Sequence, residues 1–248
     1  MEVFTMVKQN GSEIAKSGFQ SEKDIVNKFN NWKEDEDSKQ WLKIMGYKLS
    51  EIISVKSNTI RNNKTDIQVK ISRTDTEHTD THNIQVKSLS SYRGFNQVDK
   101  RWIDNYQKMW NIPDDITELL KYYTGELKPC TDDDKKRIYL NEFSAKQQKD
   151  ILNFFNDNKI WIICDLLRGR GPYSTEWILV VQKTDNIRWI LQPINKVINY
   201  YSKGEVFITP KGNLKIGKIS MQRKGGDKGK KSANMLQFKI NPAKLFEI

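Results

Sequence analysis

The chain has 248 residues, with 42 Lys plus Arg against 31 Asp plus Glu, a formal net charge of +11. That length can bury a substantial core, and the basic balance points to a polyanionic partner, nucleic acid first. Two cysteines and two histidines exclude a disulfide framework and a histidine-built metal centre, and GxxxxGK[ST] and GxSxG strings are absent. The N-terminal MEVFTMVKQN lacks the pattern of a signal peptide, and the longest apolar run, Trp161 to Cys164, is too short for a bilayer. A cytoplasmic protein with no membrane association is expected.

SEKDIVNKFNNWKED reads as a helix, with Ser21 and Asp24 spaced as a capping box. Glu22, Ile25, Val26 and Phe29 fall on one stripe by the i, i+3, i+4, i+7 rule. A second helix is expected from about Asp37 to Glu51. The period then changes to two: Thr65 to Ser72 and Asn83 to Leu89 alternate as strands. The polar RTDTEHTDT between them reads as a turn that takes in His78 and His82. NQVDKRWIDNYQKMW carries Trp102, Tyr106, Met109 and Trp110 at helical spacing, a stripe suited to a core. Ser144 to Asn158 reads as a polar helix. KIWIICDLL reads as a short buried strand that ends in RGRG. TEWILVVQK follows as a strand, NKVINYYS as a helix, and FITP, NLKIGKISMQ and MLQFKI as late strands. The expectation is a single α/β (α+β) domain over residues 1–248, with a mixed central β-sheet flanked by helices.

The string IQVK occurs twice, at Ile67 to Lys70 and at Ile84 to Lys87. An antiparallel hairpin turning near residues 76 and 77 would set Asp66 opposite Lys87 and Gln68 opposite Gln85. Opposed residues share a face, as do residues i and i+2. Asp66, Gln68, Gln85 and Lys87 would emerge on one side, and Ile67, Val69, Ile84 and Val86 on the other. Phosphodiester hydrolysis needs Mg²⁺ held by oxygen ligands and an activated water. Asp66 could supply the anionic ligand, Gln85 a neutral carbonyl oxygen, and Lys87 a cation to orient or deprotonate the water. The same pattern also describes a solvent face with Asp66 and Lys87 as a cross-strand ion pair. On the helix stripe, Glu22 is either a further acid of such a site or a first-turn acid satisfying the helix dipole.

The short pattern, with TD at residues 65–66 and QVK at 85–87, resembles the active site of the PD-(D/E)xK nucleases, with Gln85 in the slot usually held by Asp or Glu. The longer strings GFQSEKDIVNKFNNWKE, HNIQVK, RGFNQVDKRW, LLRGRG, QRKGGDKG and ANMLQFKI are similar to the Type II restriction endonucleases that cut GCGC after the first G, leaving a 5′-CG overhang. The likeness runs from about Lys16 to the C-terminus. It implies a restriction-endonuclease-like PD-(D/E)xK core and Mg²⁺-dependent double-strand cleavage. Asp66, Gln85 and Lys87 would be the catalytic set, and Asp66, Gln85 and the Val86 carbonyl would hold the metal; many enzymes of that superfamily carry a helical Glu near the metals, so Glu22 stays open between a catalytic acid and a helix-dipole acid. In that family a Phe wedges into the base stack and a nearby Gln contacts bases, which maps to Phe95 and Gln97.

Double-stranded DNA is therefore the expected partner, with reading loops near 91–100 and 221–234. The Gly-rich second loop carries Gln222, Arg223, Lys224, Asp227 and Asn234, groups able to meet guanine and cytosine edges in the major groove. It could equally be a solvated basic loop that touches phosphates alone, and Phe95 could fold back as a loop anchor. Lys100 and Arg168 or Arg170 are phosphate candidates. A homodimer would account for palindromic cutting, and a cognate methyltransferase would be a genetic companion. The alternatives are a PD-(D/E)xK nuclease with another target, or a non-catalytic sequence-specific DNA-binding protein.

Overall fold

The computed structural model describes residues 11–90, 94–129, 136–184, 187–226 and 229–248. In chain order the helices are α1 (Gly11–Asn30), α2 (Glu36–Ile44), α3 (Ile103–Trp110), α4 (Asp114–Thr124), α5 (Ala145–Asp157), α6 (Lys159–Arg168) and α7 (Ile194–Ser202). The strands are β1 (Ile52–Thr59), β2 (Ile67–Arg73), β3 (Thr79–Leu89), β4 (Asn96–Arg101), β5 (Trp177–Lys183), β6 (Ile187–Pro193), β7 (Val206–Ile208), β8 (Leu214–Ile216), β9 (Ile219–Arg223) and β10 (Leu236–Ile240). They form two compact units, one of residues 1–92 and 171–193, the other of residues 93–170 and 194–248. No described helix is long and apolar enough to cross a membrane.

The first unit holds the mixed sheet, ordered β1-β2-β3-β5-β6. Only the central β3–β5 pair is parallel. Ile67, Val69, Ile71, Ile84 and Val86 point to one face and pack with Ile25 and Phe29 of α1 and Trp41 and Leu42 of α2. Burying a side chain of this size stabilises by roughly 1.5–3 kcal/mol, so this layer is the unit's main cohesive element. Asp35 starts α2, its carboxylate accepting from the Ser38 N–H at 2.8 Å.

The register of β2 and β3 differs from the expectation by two residues. Gln68 faces Asn83, not Gln85, and Ile67 faces Ile84. Because side chains alternate with period two, a two-residue displacement leaves every residue on its expected face, where a one-residue slip would have inverted them.

The second unit contains an antiparallel sheet ordered β4-β10-β9-β8-β7, with α3 to α7 around it. Its aromatic centre joins Tyr106 and Trp110 of α3, stacked at 4.7 Å, to Phe238 of β10 at 5.3 and 5.5 Å. Gly125 ends α4 at φ +80, and a Cβ there would lie 2.7 Å from the Lys136 carbonyl oxygen, so only glycine fits the turn.

Several local expectations are corrected. KIWIICDLL is helix α6, not a strand: Ile162, Ile163, Leu166 and Leu167 are buried while Ile160 and Trp161 face outwards, a helical period hidden in an apolar run. Residues 96–101 form β4, and the helix expected across them begins at Ile103, leaving Trp102 ahead of its first turn. Ser21 does not cap a helix, because α1 starts at Gly11 and Ser21 lies buried within it. The second helix stops at Ile44, and the polar segment after Glu51 is β1. His82 is on strand β3, within 2.6 Å of the Tyr47 hydroxyl, and only His78 sits in the turn. Strand β6 is an addition to the expected elements.

Candidate active site

The site grows from a local irregularity. Asp66 sits just ahead of β2, where its N–H donates to the Ile84 carbonyl at 3.1 Å and its own carbonyl accepts from Ile60 N–H at 2.8 Å. The backbone thereby closes against both neighbouring strands. Its carboxylate turns towards β3, and Oδ2 accepts the Val86 N–H at 2.7 Å. No ion pair joins Asp66 to Lys87 among the described residues, so the cross-strand pair considered above does not form.

Gln85 is 3% exposed. Its Nε2 donates to the Lys64 carbonyl at 3.1 Å, while its Oε1 is buried without a hydrogen-bond partner. A carbonyl can only accept, so the Lys64 oxygen dictates which end of the amide faces it. The Gln85 oxygen is thus held away from Lys64 with an unused lone pair. An orphaned buried acceptor costs roughly 1–3 kcal/mol, and such atoms ask for a ligand.

Electrostatics tie Glu22 to these groups. Burial pushes the Glu22 carboxyl up from 4.5 to about 7, the Asp66 carboxylate adds to the rise, and Lys87 opposes it. The Asp66 carboxyl is also raised, chiefly by burial, against the pull of Lys87, the Val86 N–H and Lys64. Three of the expected residues therefore share one field, and Gln85 and Val86 join them through the backbone between Asp66 and β3. The described residues contain no group of three or more His, Cys, Asp or Glu able to hold a metal ion. A cation here would need neutral oxygens as well, and the unpartnered Gln85 Oε1 fits that need for a hard, oxygen-seeking ion.

Residues missed in the sequence form the frame. Asn83 is buried, donates from Nδ2 to the carbonyls of Pro172 and Ser174 at 3.0 and 3.1 Å, and accepts at Oδ1 from Gln68 Nε2 at 3.1 Å. Its backbone N–H donates to Glu176 Oε2 at 2.9 Å, and Thr65 Oγ1 donates to the Tyr173 carbonyl at 2.8 Å. The first IQVK thus contributes a frame residue, Gln68. The signal was present: Asn83 alternates with Gln85 and Lys87 on the same face.

The expected DNA-side residues belong to the second unit. Phe95 is 56% exposed, with the Lys215 ammonium 5.8 Å from its ring centre. Gln97 and Lys100 lie on β4, and Gln222 and Arg223 on β9. Arg223 donates to Asn234 Oδ1 at 2.6 Å, and Asn234 Nδ2 donates to the Gly125 carbonyl at 2.7 Å, so both ends of the Asn234 amide are engaged within the protein. The Lys224 N–H donates to the Met235 carbonyl, pinning the loop base. Asp227, Tyr92 and Arg93 lie outside the described residues. Arg170, which stays exposed, forks onto Asp165 at 2.7 and 3.0 Å, and Asp165 also accepts from the Trp110 indole at 2.8 Å.

Comparison with known proteins adds two findings. A family model described as R.HinP1I restriction endonuclease matches residues 45–246, a span that includes Asp66, Gln85, Lys87, Phe95 and the loop to Asn234 but not Glu22. The crystal structure of restriction endonuclease MspI in complex with its cognate DNA matches with a TM-score of 0.64 at 15% identity, over 92% of this chain and 91% of that one. At that identity the second match establishes the fold. No curated protein matches by sequence.

Proposed function

Since the chain belongs to the R.HinP1I restriction endonuclease family, and is on that ground a site-specific deoxyribonuclease, we propose that it cuts palindromic GCGC in double-stranded DNA by Mg²⁺-dependent hydrolysis at Asp66, Gln85 and Lys87. The observation that carries the site is the buried, partnerless Gln85 Oε1, one residue before Val86, whose N–H holds the Asp66 carboxylate. Asp66, Gln85 Oε1 and the Val86 carbonyl would hold the ion. When bound, Mg²⁺ polarises the scissile phosphate as a Lewis acid.

The remaining steps belong to the protein. The Val86 N–H and the Lys64 carbonyl fix the two oxygen donors before substrate arrives, so little reorganisation is needed on binding. Lys87 places a positive charge where the phosphorane gathers negative charge, and it orients the attacking water. The water oxygen bonds to phosphorus and gives up a proton to solvent as the opposite P–O bond breaks, and the departing oxygen takes up a proton from solvent. Glu22, ionising near neutral pH, is a second acid beside Asp66. Two copies of the chain would supply the two cuts of a palindrome, and a methyltransferase acting on GCGC would be its genetic companion.

The test is digestion of one sequenced plasmid with and without Mg²⁺, with the ends mapped. Ends at any tetranucleotide other than GCGC would refute the substrate. Lys87→Ala should slow cleavage by roughly 10²–10⁴-fold, the usual scale for losing a positioned acid–base group. A wild-type rate in that variant would remove Lys87 from the mechanism.

A further inference from the structure

The sheet of the second unit has one face built of Leu214, Ile216, Ile219, Met221, Leu236 and Phe238, all fully buried. Its other face is polar. Following the register, Phe207 faces Lys215, Lys215 faces Ser220, Ser220 faces Lys239 and Lys239 faces Gln97, a single row across all five strands. A second row runs from Gln222 through Gln237 to Lys100.

Gln97 and Lys100 are three apart and would normally point to opposite faces. The register of β4 against β10 shifts at Val98, where Asp99 faces Phe238 but Gln97 faces Lys239. The extra residue is a β-bulge, and it turns Gln97 onto the same face as Lys100.

The eight positions of these rows contain three lysines and no carboxylate. Asp99, the nearest acid in β4, points to the other face, where it accepts from the Tyr106 hydroxyl at 2.7 Å. Lys215 has no carboxylate partner among the described residues. Its ammonium donates to Ser220 Oγ at 2.6 Å and lies over the exposed Phe95 ring, and burial lowers its proton affinity. Holding an unpaired lysine partly out of water is costly and is offset when a polyanion arrives. Gln97 and Gln222 in the same rows carry amides of the kind that read base edges, whereas Gln237 is buried with its Nε2 against the Arg223 and Lys224 carbonyls.

We propose that this bulge-organised polar sheet face is a DNA-contacting surface, in which Lys215 and Lys239 join Gln97, Lys100 and Gln222 and bind the phosphates of the duplex. The assignment rests on the restriction-endonuclease reading and extends it to residues outside the loops.

The experiment measures binding of the wild-type protein to a GCGC duplex by fluorescence anisotropy over a range of salt, with Ca²⁺ replacing Mg²⁺. Lys215→Gln/Lys239→Gln should weaken binding roughly tenfold near 0.1 M salt and reduce the slope of log K against log salt by about 1.8, at ~0.9 per lost phosphate contact. Lys146→Gln/Lys149→Gln on the exposed face of α5 serves as the charge-matched control and should change neither. Thermal melts report folding, and Lys239→Gln alone, expected to remove about half the slope change, applies if the double variant does not fold. Wild-type affinity and slope in a folded variant, while the wild-type protein cuts GCGC, would overturn the surface and leave the enzyme reading intact. A wild-type protein that neither binds nor cuts GCGC would overturn both.

Discussion

Glu22→Gln gives a direct test of whether α1 delivers an acid to the site. The folded carboxyl ionises at about 7 against an ordinary 4.5, so the folded state holds this proton more tightly than the unfolded chain. Its stabilising contribution is therefore full below pH 4.5, and is lost as pH rises through 7. A shift of that size would be worth about 3 kcal/mol at 1.36 kcal/mol per unit. Glu22 is half-buried and water screens its neighbours, so about 1 kcal/mol is the expected share. For a chain of this length, that is roughly 2–4 °C in Tm. Metal-free protein should therefore lose about 2–4 °C more than Glu22→Gln between pH 5 and pH 8, measured by circular dichroism melts in EDTA. Asp66, also raised, titrates in both proteins and largely cancels from the difference. Saturating Mg²⁺ should flatten the wild-type curve. Parallel Tm–pH curves for the two proteins would refute the shared field of Glu22, Asp66 and Lys87.

Other substitutions separate chemistry from framework. Gln85→Leu removes a buried orphan along with one hydrogen bond, so its melting temperature should stay near wild type while Mg²⁺-dependent cleavage falls by more than about 100-fold. Retained cleavage would show that the amide oxygen holds no ion. Asn83→Ala should cost about 3 kcal/mol in urea unfolding, and Asn83→Asp should not rescue it, since a carboxylate cannot donate to the Pro172 and Ser174 carbonyls. Arg170→Ala leaves the buried Asp165 carboxylate with the Trp110 indole, and should cost about 2–3 kcal/mol with no loss of DNA affinity. Weaker DNA binding with unchanged stability would return Arg170 to the phosphate contacts.

Alternation made the central hairpin legible, because a strand face depends only on parity and survived the two-residue register difference. Parity is what puts Gln68, Gln85 and Lys87 on one face, whereas the proposal of Asp66, Gln85 and Lys87 as a catalytic set rests on the resemblance. The α6 segment was misread because an almost unbroken apolar run satisfies both periods, and only burial on one side distinguishes them. Asn83 was passed over because a polar residue on a polar face looks ordinary until its partners, some ninety residues away, are known. The long strings carried the family, whereas no local pattern announced the β4 bulge or the polar rows it assembles. Arg170, an arginine between glycines, stays exposed while its guanidinium forks onto Asp165, a partner that no local pattern announces.

On the proposed assignment of Asp66, Gln85 and Lys87, the neutral amide at residue 85 would also set an order of assembly. Burial raises both the Glu22 and the Asp66 carboxyl, and Lys87 lies in their field, so the resting pocket would hold less negative charge than two free carboxylates and attract a divalent ion more weakly. A phosphodiester entering the pocket would bring the missing negative charge. Ion and duplex would then raise each other's affinity by the same factor, as linkage requires. The hydrolytic centre would be armed by its substrate and stay chemically quiet between encounters.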